Sequence, residues 1–181
     1  MGGSCKFHIT ALERRSPTVS ELASTLIEVV ANGGSVGFMH PLLPDAAMAF
    51  WEASLTAAAE GRRIVLGARD GDALIGTVTL LLDCPPNQPH RAEVAKLMTR
   101  VSHRGRGAAR ALLLAAERLA IDRGRTLLTL DTATEGGAGG LYEQLGFRKA
   151  GEIPDYALKP HGGLTGTILY WKRIGELSGL R

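Results

Sequence analysis

Residues 103–110 read HRGRGAAR, and their types and spacing suit a definite chemistry. The stretch stands between a run of strand character, AEVAKLMTRV, and a helical run in which Ala109, Leu112, Leu113, Ala116, Leu119 and Ala120 share one face. The first turn of a helix carries unpaired N–H groups and a partial positive charge, so small residues there let an anion reach the backbone. Gly105, Gly107, Ala108 and Ala109 are small, and Arg104, Arg106 and Arg110 add charge-assisted hydrogen bonds. The pattern predicts a pyrophosphate cradle. It is not a P-loop, since no lysine closes it, and not the dinucleotide fingerprint, since Arg110 stands where a third glycine or alanine belongs.

The elements that must position this turn follow from periodicity and breakers. A short strand is expected at Cys5–Leu12, then a helix capped by Ser16 with Pro17 at its first position and ended by Asn32-Gly33-Gly34. A second helix is expected from about Asp45, its cap, to Glu60, stopped by Gly61. RIVLGAR and ALIGTVTLLLD flank Asp70-Gly71-Asp72, a strong hairpin signal. AEVAKLMTRV is apolar on both faces and so predicted central. TLLTLDT, a short helix around GGAGGLYEQLGF, and the strands FRKAGE and TGTILYWKR complete the order β-α-α-β-β-β-α-β-α-β-β. This mixture implies an α/β sheet that is antiparallel in its N-terminal half.

The chain has 181 residues, 45% apolar and 22% charged, which predicts a single domain over residues 1–181 and excludes collagen-like, disulfide-framework and disordered classes. No apolar run is long enough to span a membrane, and MGGSCKFHIT lacks the apolar core of a signal peptide. Cys5 and Cys84 read as free thiols in a reducing cytoplasm. The five histidines and two cysteines show no ligand spacing, so no metal is expected. Net charge is +3, but residues 90–125 hold nine Lys/Arg against three acids, +6, leaving −3 elsewhere. A local anion site, rather than a nucleic-acid or membrane face, accounts for that concentration.

Arg104-x-x-Gly107-x-Ala109, after a strand and before a helix, resembles the Arg/Gln-x-x-Gly-x-Gly/Ala signature of the GNAT superfamily of N-acetyltransferases. Tyr142 followed by Gly146-Phe147 resembles that family's second hallmark. The resemblance implies a GNAT fold, a mixed central sheet of about six to seven strands flanked by about four helices. It implies acetyl-CoA as co-substrate, its pyrophosphate on Arg104, Arg106, Gly107, Ala108, Ala109 and Arg110 and its pantetheine arm along the backbone of Leu97, Met98 and Thr99. Within the family, GGSVGFMHPL, RAEVAKLM, LLTLDT, GEIPDY and the ILYWK stretch are similar to an acetyltransferase acting on a β-lactam amino-acid toxin. That implies antibiotic-resistance chemistry on a small-molecule amine.

An ammonium cannot attack a thioester, so a base must take its proton. Glu93 resembles the family's general-base glutamate, and burial on a central strand would raise its pKa; the other reading is a surface glutamate paired with Arg91 or Lys96. Asp131 is a second carboxylate to hold the ammonium or share the base role, and which of the two is the main base stays open. Tyr142 resembles the general-acid tyrosine that protonates the departing thiolate. Two positions depart from the family pattern. Glu135 stands where an asparagine usually bonds pantetheine, and Val101 where a proline usually precedes the cradle. Phe38, Met39, Trp51, Tyr156 and Trp171 are either walls of an acceptor pocket or core side chains. No cysteine lies near the cradle or Tyr142, so direct attack is expected. Alternatives are a protein or peptide acceptor, or a non-catalytic acetyl-CoA-binding sensor. A homodimer through the apolar C-terminal strand is a further expectation.

Overall fold

Apolar β-formers on both sides of Gly71-Asp72 force a tight hairpin, and the sheet grows from it. In the computed structural model, which describes residues 7–175, β1 (His8–Ala11), β2 (Arg63–Asp70), β3 (Ala73–Leu81), β4 (Arg91–Thr99), β5 (Leu127–Ala133), β6 (Arg148–Leu158) and β7 (Leu164–Arg173) form one sheet. The strand order is β1-β2-β3-β4-β5-β7-β6, antiparallel throughout except where β4 meets β5. β4 is therefore central. Cys5, expected to open the first strand, lies outside the described residues.

Helices α1 (Ser16–Ala31) and α2 (Pro44–Ala59) cover one face, and α3 (Ala108–Asp122) with the short α4 (Gly139–Gln144) covers the other. Leu22, Leu26, Val30, Trp51 and Leu55 pack with Val65, Leu74 and Met98. On the far side Leu112, Leu113 and Ala116 pack with Ile75, Val78, Val94 and Leu128. Each fully buried leucine contributes about 2 kcal/mol, and together the two layers clamp β4 from both faces.

The helix starts differ from the expected caps. Arg15 and Leu43 occupy the N-cap positions, neither with a side-chain cap, and a proline follows in the first turn of each helix. Proline has a preset φ and no N–H to satisfy, so it favours the first turn, as the first residue of α2 and the second of α1. Ser16 and Asp45 consequently fall inside the first turn, where Asp45 favours the positive helix end.

β4 carries a bulge. Its register with β3 moves from Thr79↔Ala95 to Thr77↔Met98, one residue extra, and Lys96 takes a left-handed backbone with φ 52°. Ala92 and Val94 face α3, whereas past the bulge Met98 faces α1 and α2. An inserted residue exchanges the faces of everything beyond it. β6 runs past Pro154 to Leu158, longer than FRKAGE predicts, with its own irregularity between Ile153 and Ala157. It is an edge strand, where proline is tolerated. β7 is paired on both sides, by β5 and β6, which leaves β6 as the edge of the sheet.

Candidate active site

β4 and β5 pair only through Arg91↔Leu127, Ala92↔Leu128 and Glu93↔Thr129, then diverge. From Val94 onward the β5-facing edge of β4 has no strand partner, while β5 stays paired with β7 as far as Ala133. The divergence opens a cleft of about 310 Å³ lined by Val94–Leu97, Asp131–Ala133, Tyr142 and residues of the β6–β7 hairpin. Its outer wall is the loop after α1, including Ser35, Val36 and Gly37. That loop is fastened to the hairpin by the His40 N–H donating to Pro160 O at 2.9 Å and by the His40 and His161 rings, 4.5 Å apart.

The unpaired edge of β4 leads through a single 3-10 turn, Val101–His103, into the glycine-rich stretch. Gly105 and Gly107 have φ of 72° and 91°, and Gly107 is the N-cap of α3. No side chain caps this helix, so the N–H groups of Ala108, Ala109 and Arg110 face outward without intrahelical acceptors. A Cβ at Gly105 or Gly107 would meet no protein atom within 4 Å. The turn thus presents bare amides to open space, and these residues fit a pyrophosphate. Arg104 and Arg110 are exposed beside it, whereas Arg106 bonds Asp70 at 3.2 Å on the β2–β3 turn.

Not all the positive charge of residues 90–125 serves this site. Arg91 donates to Gln88, Glu93 and Thr129, Arg100 to Leu74 O and Glu28, and Arg125 to the Pro89 and Leu82 carbonyls. These guanidiniums hold strands and loops together.

Tyr142, on α4, is only 5% exposed, lies edge-on to Phe147, and lines the cleft. Burial, with help from the charge of Asp131, pushes its phenol up to about 12. Among the described residues its hydroxyl has no hydrogen-bond partner, so a protonated donor faces the cleft. Asp131 lines the cleft from β5 and accepts from Thr167 Oγ1 at 2.9 Å. Glu93 shares that face of the sheet but lies outside the cleft lining, and its Oε2 accepts from Arg91 Nη1 at 3.2 Å. With 40% of its side chain exposed, Glu93 does not have the burial expected of it.

Leu97 lines the cleft, and Thr99 ends β4 just before the 3-10 turn. The side chain of Met98 packs under α1 and α2, leaving only its backbone for a ligand. Glu135 is drawn to Lys159 at 3.0 Å. Trp51 is fully buried and belongs to the core, not to a pocket wall. Tyr156 lines the cleft mouth and is 57% exposed. Phe38 packs edge-on to Phe50 at 5.1 Å, while Met39 is exposed and Trp171 sits beneath Arg148.

Sequence reasoning counted Lys96 only as a charge, and it is a cleft residue. Its Nζ stands 5.9 Å from the Phe38 ring centroid and 5.8 Å from that of Phe50. Burial lowers its pKa below the ordinary lysine range, with Asp131 and Glu93 opposing and Arg63 assisting the shift. The available signal was a lysine interrupting the apolar run AEVAKLM.

Known acetyltransferase structures share this architecture. An N-acetyltransferase from Staphylococcus aureus Mu50 superposes with a TM-score of 0.77 at 17% identity, covering 93% of this chain and 99% of its own. A Salmonella typhimurium protein solved with its cofactor acetyl-CoA gives 0.76 at 16% identity, covering 96% and 98%. At such identities the likeness is one of fold. Human N-acetyltransferase 8B is 36% identical over 87 residues, which is 47% of this chain and 38% of that protein. N-acetyltransferase 8F1 of Rattus norvegicus is 34% identical over the same length, 39% of its own chain, so the match spans about two fifths of these curated relatives. Residues 29–147, well over half of the sequence, match the family model described as Acetyltransferase (GNAT) family, and the chain belongs to that family.

Proposed function

We propose that this chain is an acetyl-CoA-dependent N-acetyltransferase that acetylates the amine of a small molecule by direct attack. One observation carries the reading: the unpaired edge of β4 runs from the cleft straight into an uncapped helix N-terminus behind two left-handed glycines. Amides at Gly107, Ala108, Ala109 and Arg110, with Arg104 beside them, hold the pyrophosphate. The backbone of Leu97, Met98 and Thr99 aligns the pantetheine arm as a strand would, and so brings the thioester between β4 and β5.

Asp131 orients the incoming ammonium, and Glu93 receives its proton through water, since the two carboxylates lie on one sheet face and only Asp131 lines the cleft. The amine nitrogen then forms a bond to the acetyl carbon as the carbon–sulfur bond breaks. Tyr142 donates its phenolic proton to the departing thiolate, a role supported by a hydroxyl that burial keeps protonated.

A cleft of about 310 Å³ suits a small acceptor. The similarity of GGSVGFMHPL, RAEVAKLM and GEIPDY to tabtoxin resistance protein supports a β-lactam amino-acid toxin as that acceptor. We further propose a single domain working in a reducing cytoplasm, with a homodimer formed along β6, where Ile153, Tyr156 and Leu158 are exposed. Among the described residues no helix is long and apolar enough to cross a membrane.

The test is thiol release from acetyl-CoA across amino acids, β-lactam amino acids, aminoglycosides and polyamines. Turnover with a subset is expected, with kcat falling about a hundredfold in Glu93→Gln and Asp131→Asn. Acetyl-CoA binding without consumption by any amine would defeat the proposal.

A further inference from the structure

Lys96 occupies an unusual position for a lysine. It sits at the bulge of β4 in a left-handed backbone that residues other than glycine rarely adopt, and it lines the cleft. Phe38 and Phe50 flank its ammonium. Their rings attract a cation but accept none of its three hydrogen bonds in the way a carboxylate would. The nearby carboxylates are engaged elsewhere, Glu93 with Arg91 and Asp131 with Thr167. Among the described residues, Lys96 makes no ion pair and no hydrogen bond. Asp131 and Glu93 offset part of the cost of burying this cation without bonding to it, and a ligand anion in contact removes more of that cost.

We propose that Lys96 is the anchor for an anionic group on the acceptor, so that the molecule acetylated here is an amino carboxylate. Asp131 lines the opposite wall of the same cleft. The two walls thus carry opposite charges, complementary to a zwitterion whose ammonium lies at Asp131 and whose carboxylate lies at Lys96. A carboxylate accepts one or two charge-assisted hydrogen bonds from the ammonium, whereas the matching carboxamide brings no charge. The inference rests on the acetyl-transfer reading only for what happens to the amine, because recognition of the carboxylate is a property of binding.

The experiment is calorimetric binding of a panel of α-amino acids, including a β-lactam amino acid, each paired with its own carboxamide, to the full chain loaded with coenzyme A. Thiol release from acetyl-CoA is measured in parallel. The acid is expected to bind about tenfold to a hundredfold tighter than its carboxamide. In Lys96→Met that preference disappears through weaker binding of the acid alone, and Lys96→Arg restores part of it. Melting temperature and coenzyme A affinity control for folding, with Lys96→Gln taking the place of a methionine variant that fails them. Equal binding of acid and amide by the parent protein, an unchanged preference in the uncharged variant, or binding of no panel member overturns the anchor. Lys96-dependent carboxylate binding without thiol release would keep the anchor and remove the acetyl-transfer reading, and thiol release without acid preference would do the reverse.

Discussion

Glu28 on α1 grips the chain entering the cradle at two points: Oε2 accepts from Arg100 Nη1 at 2.7 Å and Oε1 accepts from the Val101 N–H at 2.8 Å. One carboxylate therefore sets the direction in which the backbone leaves β4. Glu28→Ala removes both bonds and leaves a half-buried guanidinium unpaired. It is expected to lower stability by about 2 kcal/mol and to raise KM for acetyl-CoA more than KM for the acceptor. Chemical denaturation and two-substrate kinetics check the split.

Gly107 is the second point of control. Its φ of 91° strains any side chain, yet a Cβ there meets no protein atom, so the protein itself loses only about 1 kcal/mol on Gly107→Ala. The larger effect falls on the ligand that fills the open space. Coenzyme A affinity measured by calorimetry is expected to drop by about tenfold or more, with the acceptor cleft unaffected.

Tyr142→Phe removes a hydroxyl that has no partner among the described residues, so the fold should keep its melting temperature near neutral pH. kcat is expected to fall about a hundredfold while KM for acetyl-CoA holds. With its pKa raised to about 12, the phenol resists ionisation in the folded state while the unfolded chain loses that proton nearer pH 10. The native state therefore loses stability from Tyr142 as pH climbs through that interval, and the phenylalanine variant should show a shallower alkaline decline.

Lys96 makes a separate pH prediction. Its pKa is lowered by burial and by Arg63, against the pull of Asp131 and Glu93, so it discharges at a pH below the ordinary lysine range. KM for a carboxylate-bearing acceptor should rise as pH passes that point beyond the rise due to the acceptor's own ammonium, and Lys96→Met should lack the extra rise. The parent and that variant assayed over one alkaline series are enough to see the divergence.

HRGRGAAR announced the glycine turn and the uncapped helix start, because local residue types dictate backbone torsions. The order of strands and helices was equally readable from periodicity. Lys96 was not, since its role arises from a bulge in β4 and from Phe38 and Phe50 on other elements. For Trp51 the sequence left a core position and a pocket wall both open, and the inward face of α2 settles it as core. The length of β6 depended on its place at the sheet edge, which no local signal announces. Asp131 and Glu93 could be named as a pair of carboxylates, but their difference in access to the cleft appeared only when β4 and β5 separated.

The three residue pairs joining β4 to β5 have a mechanical meaning. Within the one sheet, β1 to β4 form an antiparallel half and β5 to β7 a second, each stitched along its length by neighbouring strands. Between them the seam is short and parallel, and the only covalent bridge across it is the segment containing α3, the helix that follows the glycine-rich turn. Past Glu93 the β5-facing edge of β4 has no ladder partner, so amide exchange should be faster along that open end than within either half. A molecule lying on the edge of β4 and reaching the α3 turn while touching β5 acts as a rivet across that seam. Saturation at a hundredfold excess over Kd adds about 2.7 kcal/mol to the stability of the folded protein, and a ligand bonded to the open edge of β4 should slow amide exchange there most.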